Sequence, residues 1–319
     1  MTPVTDHKFR RLAAAAALMT YALIIVGGLV RTSGSGLGCP DWPLCHGQAL
    51  PPADVAAWIE FSHRAVAAVT GVLLVVTAVV ALRRYRHLRP VSAPVTFAAL
   101  LLVLQVPLGA IVVLTELEPL IVAFHLSMAM LIFAGVLVTA IAAGRPAQVP
   151  GERSQVPGLL VAAALSVFAV LMTGAWVVGG RAQLACPDWP LCYDALLPGP
   201  DASPQIAIQL LHRYAVAAVS ILVIALVVKM LSARRIARPL LVWTVYLGAS
   251  FAMQVMVGAF QVLFLLPVGW RVLHLAFASA AWASLVALLA YHWLAGGVEA
   301  VRTAHNARDR GRAGVPAGD

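Results

Sequence analysis

Four of the nine histidines, His63, His125, His212 and His274, fall inside strongly apolar stretches rather than in loops or tails. An ionisable side chain in hydrocarbon is costly and marks a functional candidate by default. A single intramembrane histidine could merely hydrogen-bond a neighbouring helix. Four of them, two in each half of the chain and each near the start of an apolar run, point to a common chemistry. Two imidazoles facing each other across a helical bundle can supply both axial ligands of a haem iron, and an apolar interior accepts the macrocycle. A non-haem metal would need more ligands than two histidines per half, and no matching carboxylate recurs in the second half. His7, His87, His292 and His305 lie in or near the ends and tails, where a solvated or interfacial side chain is the plain reading, and His46 follows Cys45 in a loop where the second half has Tyr193.

Three residues before His63 stands Glu60, whereas three residues before His212 stands Gln209. At that spacing both side chains share a helix face with the histidine. A carboxylate beside a haem can act as a base, move protons or stabilise positive charge, whereas a glutamine only hydrogen-bonds. The first half therefore reads as the chemical site and the second as a bound-cofactor site. The competing reading makes Glu60 an interfacial anion paired with Arg64 or another arginine.

The elements that position these residues follow from hydropathy. The 319-residue chain is 61% hydrophobic and 11% charged, with a mean hydropathy of +0.90, which excludes an ordinary water-soluble domain. Eight apolar runs, beginning near Leu12, Ile59, Val95, Leu120, Leu159, Ile206, Leu240 and Val272, are long enough to cross a bilayer. The expected fold class is an all-α polytopic membrane protein. Cys39-Pro-Asp-Trp-Pro-Leu-Cys45 recurs letter for letter as Cys186 to Cys192, and His63-Arg64, Gln105-Val106, Gly109-Ala110 and His125 recur as His212-Arg213, Gln254-Val255, Gly258-Ala259 and His274. The eight transmembrane helices thus read as two tandem parallel-repeat four-helix bundles. Residues 1–143 form the first half, 144–158 a cytoplasmic linker, 159–296 the second half and 297–319 a cytoplasmic tail expected to be disordered from its Arg- and Gly-rich composition.

The net charge of +9 is topological. Seventeen of the 22 Lys and Arg fall in segments on one side of an eight-span topology, so the positive-inside bias puts both termini in the cytoplasm and no nucleic-acid partner is expected. A multi-pass protein of a bacterial cytoplasmic membrane is the expected setting, with span one retained. The other five, Arg31, Arg64, Arg181, Arg213 and Arg271, lie near the outer ends of spans, where they could meet haem propionates or simply snorkel. Both cysteine loops face the outer, oxidising side, which favours a disulfide within each loop, with metal binding or a redox-cycling dithiol as rivals.

Together, the duplicated halves, Glu60-Phe61-Ser62-His63-Arg64, His125, His212-Arg213, His274 and a cysteine pair in the first outer loop of each half resemble the haem A synthase family, bacterial relatives of the mitochondrial enzyme of cytochrome oxidase assembly. The resemblance covers nearly the whole chain. It implies an oxidoreductase that converts the C8 methyl of haem O to a formyl group, giving haem A. It further implies that His63 and His125 ligate the substrate haem, that Glu60 is the catalytic carboxylate, and that His212 and His274 ligate a haem b cofactor. It also implies disulfides Cys39–Cys45 and Cys186–Cys192. Implied partners are membrane lipid, haem O synthase and cytochrome oxidase assembly factors, and a homo-oligomer is compatible with it. Two other readings of the residues stay open: a di-haem cytochrome b that moves electrons, with Glu60 as a quinone proton relay, and a haem transporter or chaperone.

Overall fold

Backbone N–H and C=O groups in hydrocarbon have no water to bond, so a chain this apolar must satisfy them within itself. A computed structural model describes residues 6–144, 156–197, 199, 202–233 and 236–313. Over these the chain forms α1 (His7–Thr32), α2 (Val55–Arg84), α3 (Arg89–Leu114), α4 (Pro119–Gly144), α5 (Pro157–Gly179), α6 (Pro204–Leu231), α7 (Arg238–Leu263) and α8 (Val268–Ala313). Among the described residues, these eight helices are each long and apolar enough to cross a membrane. The all-helical fold and the eight spans agree with the hydropathy pattern. Most of the interhalf stretch, residues 145–155, lies outside the described residues.

Local chemistry sets the helix ends. The Asp6 carboxylate caps α1 by accepting the Lys8 and Phe9 N–H groups at 2.9 and 3.3 Å, and Asp54 caps α2 through the Ala57 N–H at 2.8 Å. Prolines occupy the first turn of α3, α5, α6 and α7, where a missing N–H costs nothing. The short α3–α4 and α7–α8 turns use the same backbone device, a left-handed pair: Glu116-Leu117 in one, Leu265-Leu266 in the other. Inside the helices the hydroxyls of Thr20, Thr77, Thr139, Thr244 and Ser279 donate to carbonyls four residues back, so they need no water. Composition reads the stretch from residue 297 as an irregular tail, but α8 continues through it to Ala313. The segment lacks proline and is rich in Ala and Arg, good helix formers that extend a helix already nucleated upstream. Residues 314–319 lie outside the described residues.

Helices α1 to α4 pack in sequence, with α4 also against α1; α5 to α8 do likewise, with α8 against α5. Helix α8 carries the most buried span and also packs on α1 and α4. There the Trp282 indole N–H donates to the Met130 carbonyl at 3.1 Å, and the Tyr21 hydroxyl donates to the Ala276 carbonyl at 3.0 Å. A Cβ on Gly28 would come within 2.6 Å of Leu275 Cδ2, so the Leu275 side chain of α8 packs directly on the bare α1 backbone there. The inward core is built on Leu160, Leu226, Leu247, Leu285 and Leu288, while Leu18, Val69, Leu100, Val103, Leu165 and Ile221 stand outward and exposed. Such an apolar perimeter is unfavourable in water and suits lipid.

Candidate functional site

Both cysteine loops sit at the end of the bundle where α1 leads to α2 and α5 leads to α6, here the loop end. Each cysteine pair is bridged, Cys39–Cys45 with Cα atoms 4.6 Å apart and Cys186–Cys192 at 4.8 Å. Inside the first loop Asp41 accepts the His46 and Gly47 N–H groups at 2.6 and 2.7 Å; inside the second, Asp188 accepts those of Tyr193 and Asp194, both at 3.0 Å. The Gly47 N–H, with that of His46, holds the Asp41 carboxyl below the ordinary carboxylate range, and the Asp194 and Tyr193 N–H groups do the same for Asp188.

An arginine ties each loop to the helix that follows it. Arg64 donates from Nη1 to the Asp41 and Leu44 carbonyls at 3.0 and 2.8 Å and from Nη2 to the Cys39 carbonyl at 2.9 Å. Arg213 reaches the Cys186 and Asp188 carbonyls at 2.9 and 2.8 Å, and also those of Pro190 and Leu191. These two guanidinium groups are therefore engaged by loop carbonyls. Beneath them Glu60 and Gln209 are both buried. The side chains do one thing in common: Glu60 Oε2 accepts the Cys39 N–H at 2.8 Å, and Gln209 Oε1 accepts the Cys186 N–H at 2.9 Å. They differ in the second contact. Glu60 Oε1 takes an ion pair from Arg64 at 2.6 Å, whereas Gln209 Nε2 donates to the Gln183 carbonyl at 3.0 Å.

One turn further into the span lie the histidines. His125 is close enough to His63, and His274 to His212, for each pair to interact electrostatically. Every ring lies over a glycine of the neighbouring helix: a Cβ on Gly27 would fall 3.1 Å from the His63 ring, on Gly109 3.2 Å from His125, on Gly174 3.3 Å from His212 and on Gly258 2.9 Å from His274. A glutamine side-chain amide approaches Nε2 of the second histidine in each pair, Gln105 at 3.4 Å from His125 and Gln254 at 3.1 Å from His274.

The ring Nδ1 atoms separate the pairs. His212 Nδ1 lies 2.8 Å from Thr173 Oγ1, whose own proton is directed to the Val170 carbonyl, so Nδ1 must donate. His274 Nδ1 lies 3.1 Å from the Gln254 carbonyl, an acceptor only. Both second-half rings are thereby fixed in the Nδ1–H tautomer, which makes Nε2 the acceptor, the atom an iron would use; in His274 it takes the Gln254 side-chain amide N–H at 3.1 Å. Nδ1 of His63 and of His125 is buried with no partner. Four imidazoles, each packed against a glycine of the neighbouring helix, are the donor set a bis-histidine haem in each half would take, its iron displacing the Gln105 and Gln254 amides from Nε2 of His125 and His274. Among the described residues no three His, Cys, Asp or Glu side chains cluster as a metal site would need.

The family model described as "COX15-CtaA: Cytochrome oxidase assembly protein" matches residues 10–57 and 53–286. This chain belongs to that family. Among its relatives, the haem A synthase of Shouchella clausii (strain KSM-K16) is 32% identical over 262 residues, 79% of this chain and 84% of that protein. The haem A synthase of Symbiobacterium thermophilum is 34% identical, covering 64% of this chain and 69% of that protein, and that of Exiguobacterium sibiricum is 31% identical, covering 64% and 70%.

Within this COX15-CtaA member the structure brings together Glu60, Arg64 and the Cys39–Cys45 loop, pairs His63 with His125 and His212 with His274, and turns Arg271 to the Thr32 carbonyl at the end of α1. Sequence reasoning passed over Thr173, Gly27 and Gly174. The signal available was alignment of the halves: Val26-Gly27 stands where the second half has Thr173-Gly174 at the offset of the cysteine motif.

Proposed function

We propose that this chain is a haem A synthase in which the two halves hold two haems for different purposes. Family membership makes it an oxidoreductase converting haem O to haem A. In our reading the halves are tandem four-helix bundles, residues 1–143 and 159–296, joined by a cytoplasmic linker, with both termini cytoplasmic and the loop end facing outward. His63 and His125 would hold substrate haem O; His212 and His274 would hold haem b. The observation that carries this division is the contrast in hydrogen bonding just described. Rings whose Nδ1–H is anchored suit a permanent cofactor, because the anchor fixes ring orientation and raises ligand basicity. Rings without that anchor suit a haem that must enter, react and leave.

Haem b, when bound, would supply a path for electrons. The protein's own contribution at the substrate lies in Glu60. Its carboxylate is buried, set one helical turn from His63 and held at both oxygens, by the Cys39 N–H and by Arg64. Oxidation of the C8 methyl withdraws electrons and a proton from that carbon and leaves positive charge beside it. A pre-oriented carboxylate stabilises such charge without reorganising, and each of its oxygens keeps a lone pair to receive a proton. The burial of the site keeps water from screening that interaction. Gln209, in the equivalent place, offers hydrogen bonds but no charge.

The test is extraction of haem from the purified protein, co-expressed with a haem O supply, followed by chromatography. Haem A or hydroxylated intermediates are expected from the wild type. Haem b alone would favour a di-haem cytochrome b, and variable haem without conversion would favour a transporter. Haem O synthase and cytochrome oxidase assembly factors are the protein partners this reading implies.

A further inference from the structure

Three arginines at the loop end remain without an anionic partner. Arg31 lies in the last turn of α1, Arg271 in the first turn of α8, and Arg181 in the turn that follows α5. They come together at the seam between the halves. Arg271 Nη1 donates to the Thr32 carbonyl at 3.0 Å, Arg31 is near enough to both Arg181 and Arg271 to feel their charge, and the close approach of Gly28 to Leu275 brings the two helix ends into one place. The ion pairs among the described residues are Arg64 with Glu60 and Arg84 with Asp6, so no carboxylate of the described chain answers this cluster. Arg31 Nε is fully shielded from solvent and has no hydrogen-bond partner. A shielded guanidinium N–H left unsatisfied beside like charges is costly, and an oxyanion relieves both penalties at once.

Placement indicates which oxyanion. Arg31 follows Gly27 by four residues on α1 and so lies one turn above the glycine that floors His63. Arg271 precedes His274 by three residues on α8 and lies one turn above that ring. Both guanidinium groups thus stand toward the loop end from a haem-ligand position, one in each half. A lipid phosphate would be expected at exposed nitrogens on the perimeter, whereas the unsatisfied Nε here is enclosed.

We infer that Arg31, Arg181 and Arg271 form a carboxylate-binding site at the seam between the halves that takes haem propionates, so that both haem positions are anchored to one shared cationic cluster. This rests on the histidine assignments above. It requires no chemistry beyond ion pairing and fork-shaped hydrogen bonding.

The experiment uses the full-length protein expressed without haem, titrated in detergent with haem b and, separately, with haem b dimethyl ester, whose propionates carry no charge. Wild type is expected to bind the free acid about tenfold or more tightly than the ester, the scale of one or two charge-assisted hydrogen bonds. The double variant Arg31→Gln/Arg271→Gln should bring that ratio close to one, while Arg83→Gln, at the other end of α2, should leave it unchanged. Equal ratios in wild type and the double variant would overturn the inference. So would an unchanged ratio accompanied by loss of co-purifying anionic phospholipid, which would assign the cluster to a lipid headgroup. If the double variant fails to accumulate, a wild type with no preference for the acid overturns the inference unaided. If wild type binds neither haem nor ester, the histidine assignment itself falls, a distinct result.

Discussion

The first and second halves of this molecule place histidines over glycines in the same way, and place a side chain under a disulfide loop in the same way, yet surround these groups differently. Under the first loop a carboxylate is paired with Arg64; under the second an amide is paired with a backbone carbonyl. Around the first histidine pair both Nδ1 atoms lack partners; around the second both are hydrogen-bonded. Both differences run in one direction. The half with the charge has the unanchored ligands, and the half without it has the anchored ones, as expected if one haem is transformed and the other retained.

The strongest way to break the comparison is to exchange Glu60 and Gln209. Glu60→Gln should keep the bond to the Cys39 N–H, because Gln209 makes that bond to Cys186, while removing the charge. Haem A formation should fall about a hundredfold or more, the scale of losing a pre-oriented electrostatic group, with the first disulfide intact by non-reducing mass spectrometry. Normal haem A output would reduce Glu60 to a loop anchor. Gln209→Glu should leave product formation within a few-fold of wild type.

Next in size is the anchor on His212. Thr173→Val removes the acceptor for Nδ1–H and should lower retention of haem b about tenfold, with a shift of its reduction potential, since such supporting bonds carry about 10–100-fold in metal-site affinity. Val26→Thr supplies the matching hydroxyl beside His63, and slower release of the substrate haem is the expected result. Identical haem b retention in Thr173→Val would remove the physical basis of the cofactor assignment.

A smaller contrast is steric. A methyl at position 258 would meet the His274 ring at 2.9 Å, and one at 109 would meet His125 at 3.2 Å. Gly258→Ala should therefore disturb its low-spin haem spectrum more than Gly109→Ala disturbs the other, at a cost of about 1–3 kcal/mol for the overpacked ring. Equal spectra would mean the histidines have freedom to move aside.

The smallest effect should be shared by both halves. Asp41 and Asp188 are held below their ordinary value of 3.8 by backbone N–H groups. A carboxyl depressed on folding contributes its stabilisation above the unfolded value and loses it as pH falls through the folded one. Hydrogen exchange at Gly47 and Asp194 should thus stay slow from neutral pH down to about 4 and quicken only in stronger acid. Faster exchange already near neutrality would show that the carboxylates do not hold the loops.

Much of this was legible in the chain itself, and the boundary has a physical cause. The eight spans are carried by hydropathy over some 20 residues, a local property that tertiary packing cannot overrule in lipid. The histidine pairs and the Glu60–Gln209 difference emerge from comparing two stretches of one sequence. The helical course of residues 297–313 was missed because composition counts Arg and Gly without weighing the Ala-rich register and the helix already running into it.

What the sequence determined alone was which residue types stand at which depth and on which helix face, because helix period and hydrophobic length are local. What only the tertiary structure decided was the partner each polar group finds outside its own helix: the Cys39 N–H for Glu60, Thr173 for His212, none for His63 Nδ1, and the gathering of Arg31, Arg181 and Arg271 at the seam. Hydrogen bonds at 2.8 to 3.1 Å between neighbouring helices depend on how each helix is rotated and how closely its glycines let a neighbour approach. That rotation is a property of the packed bundle.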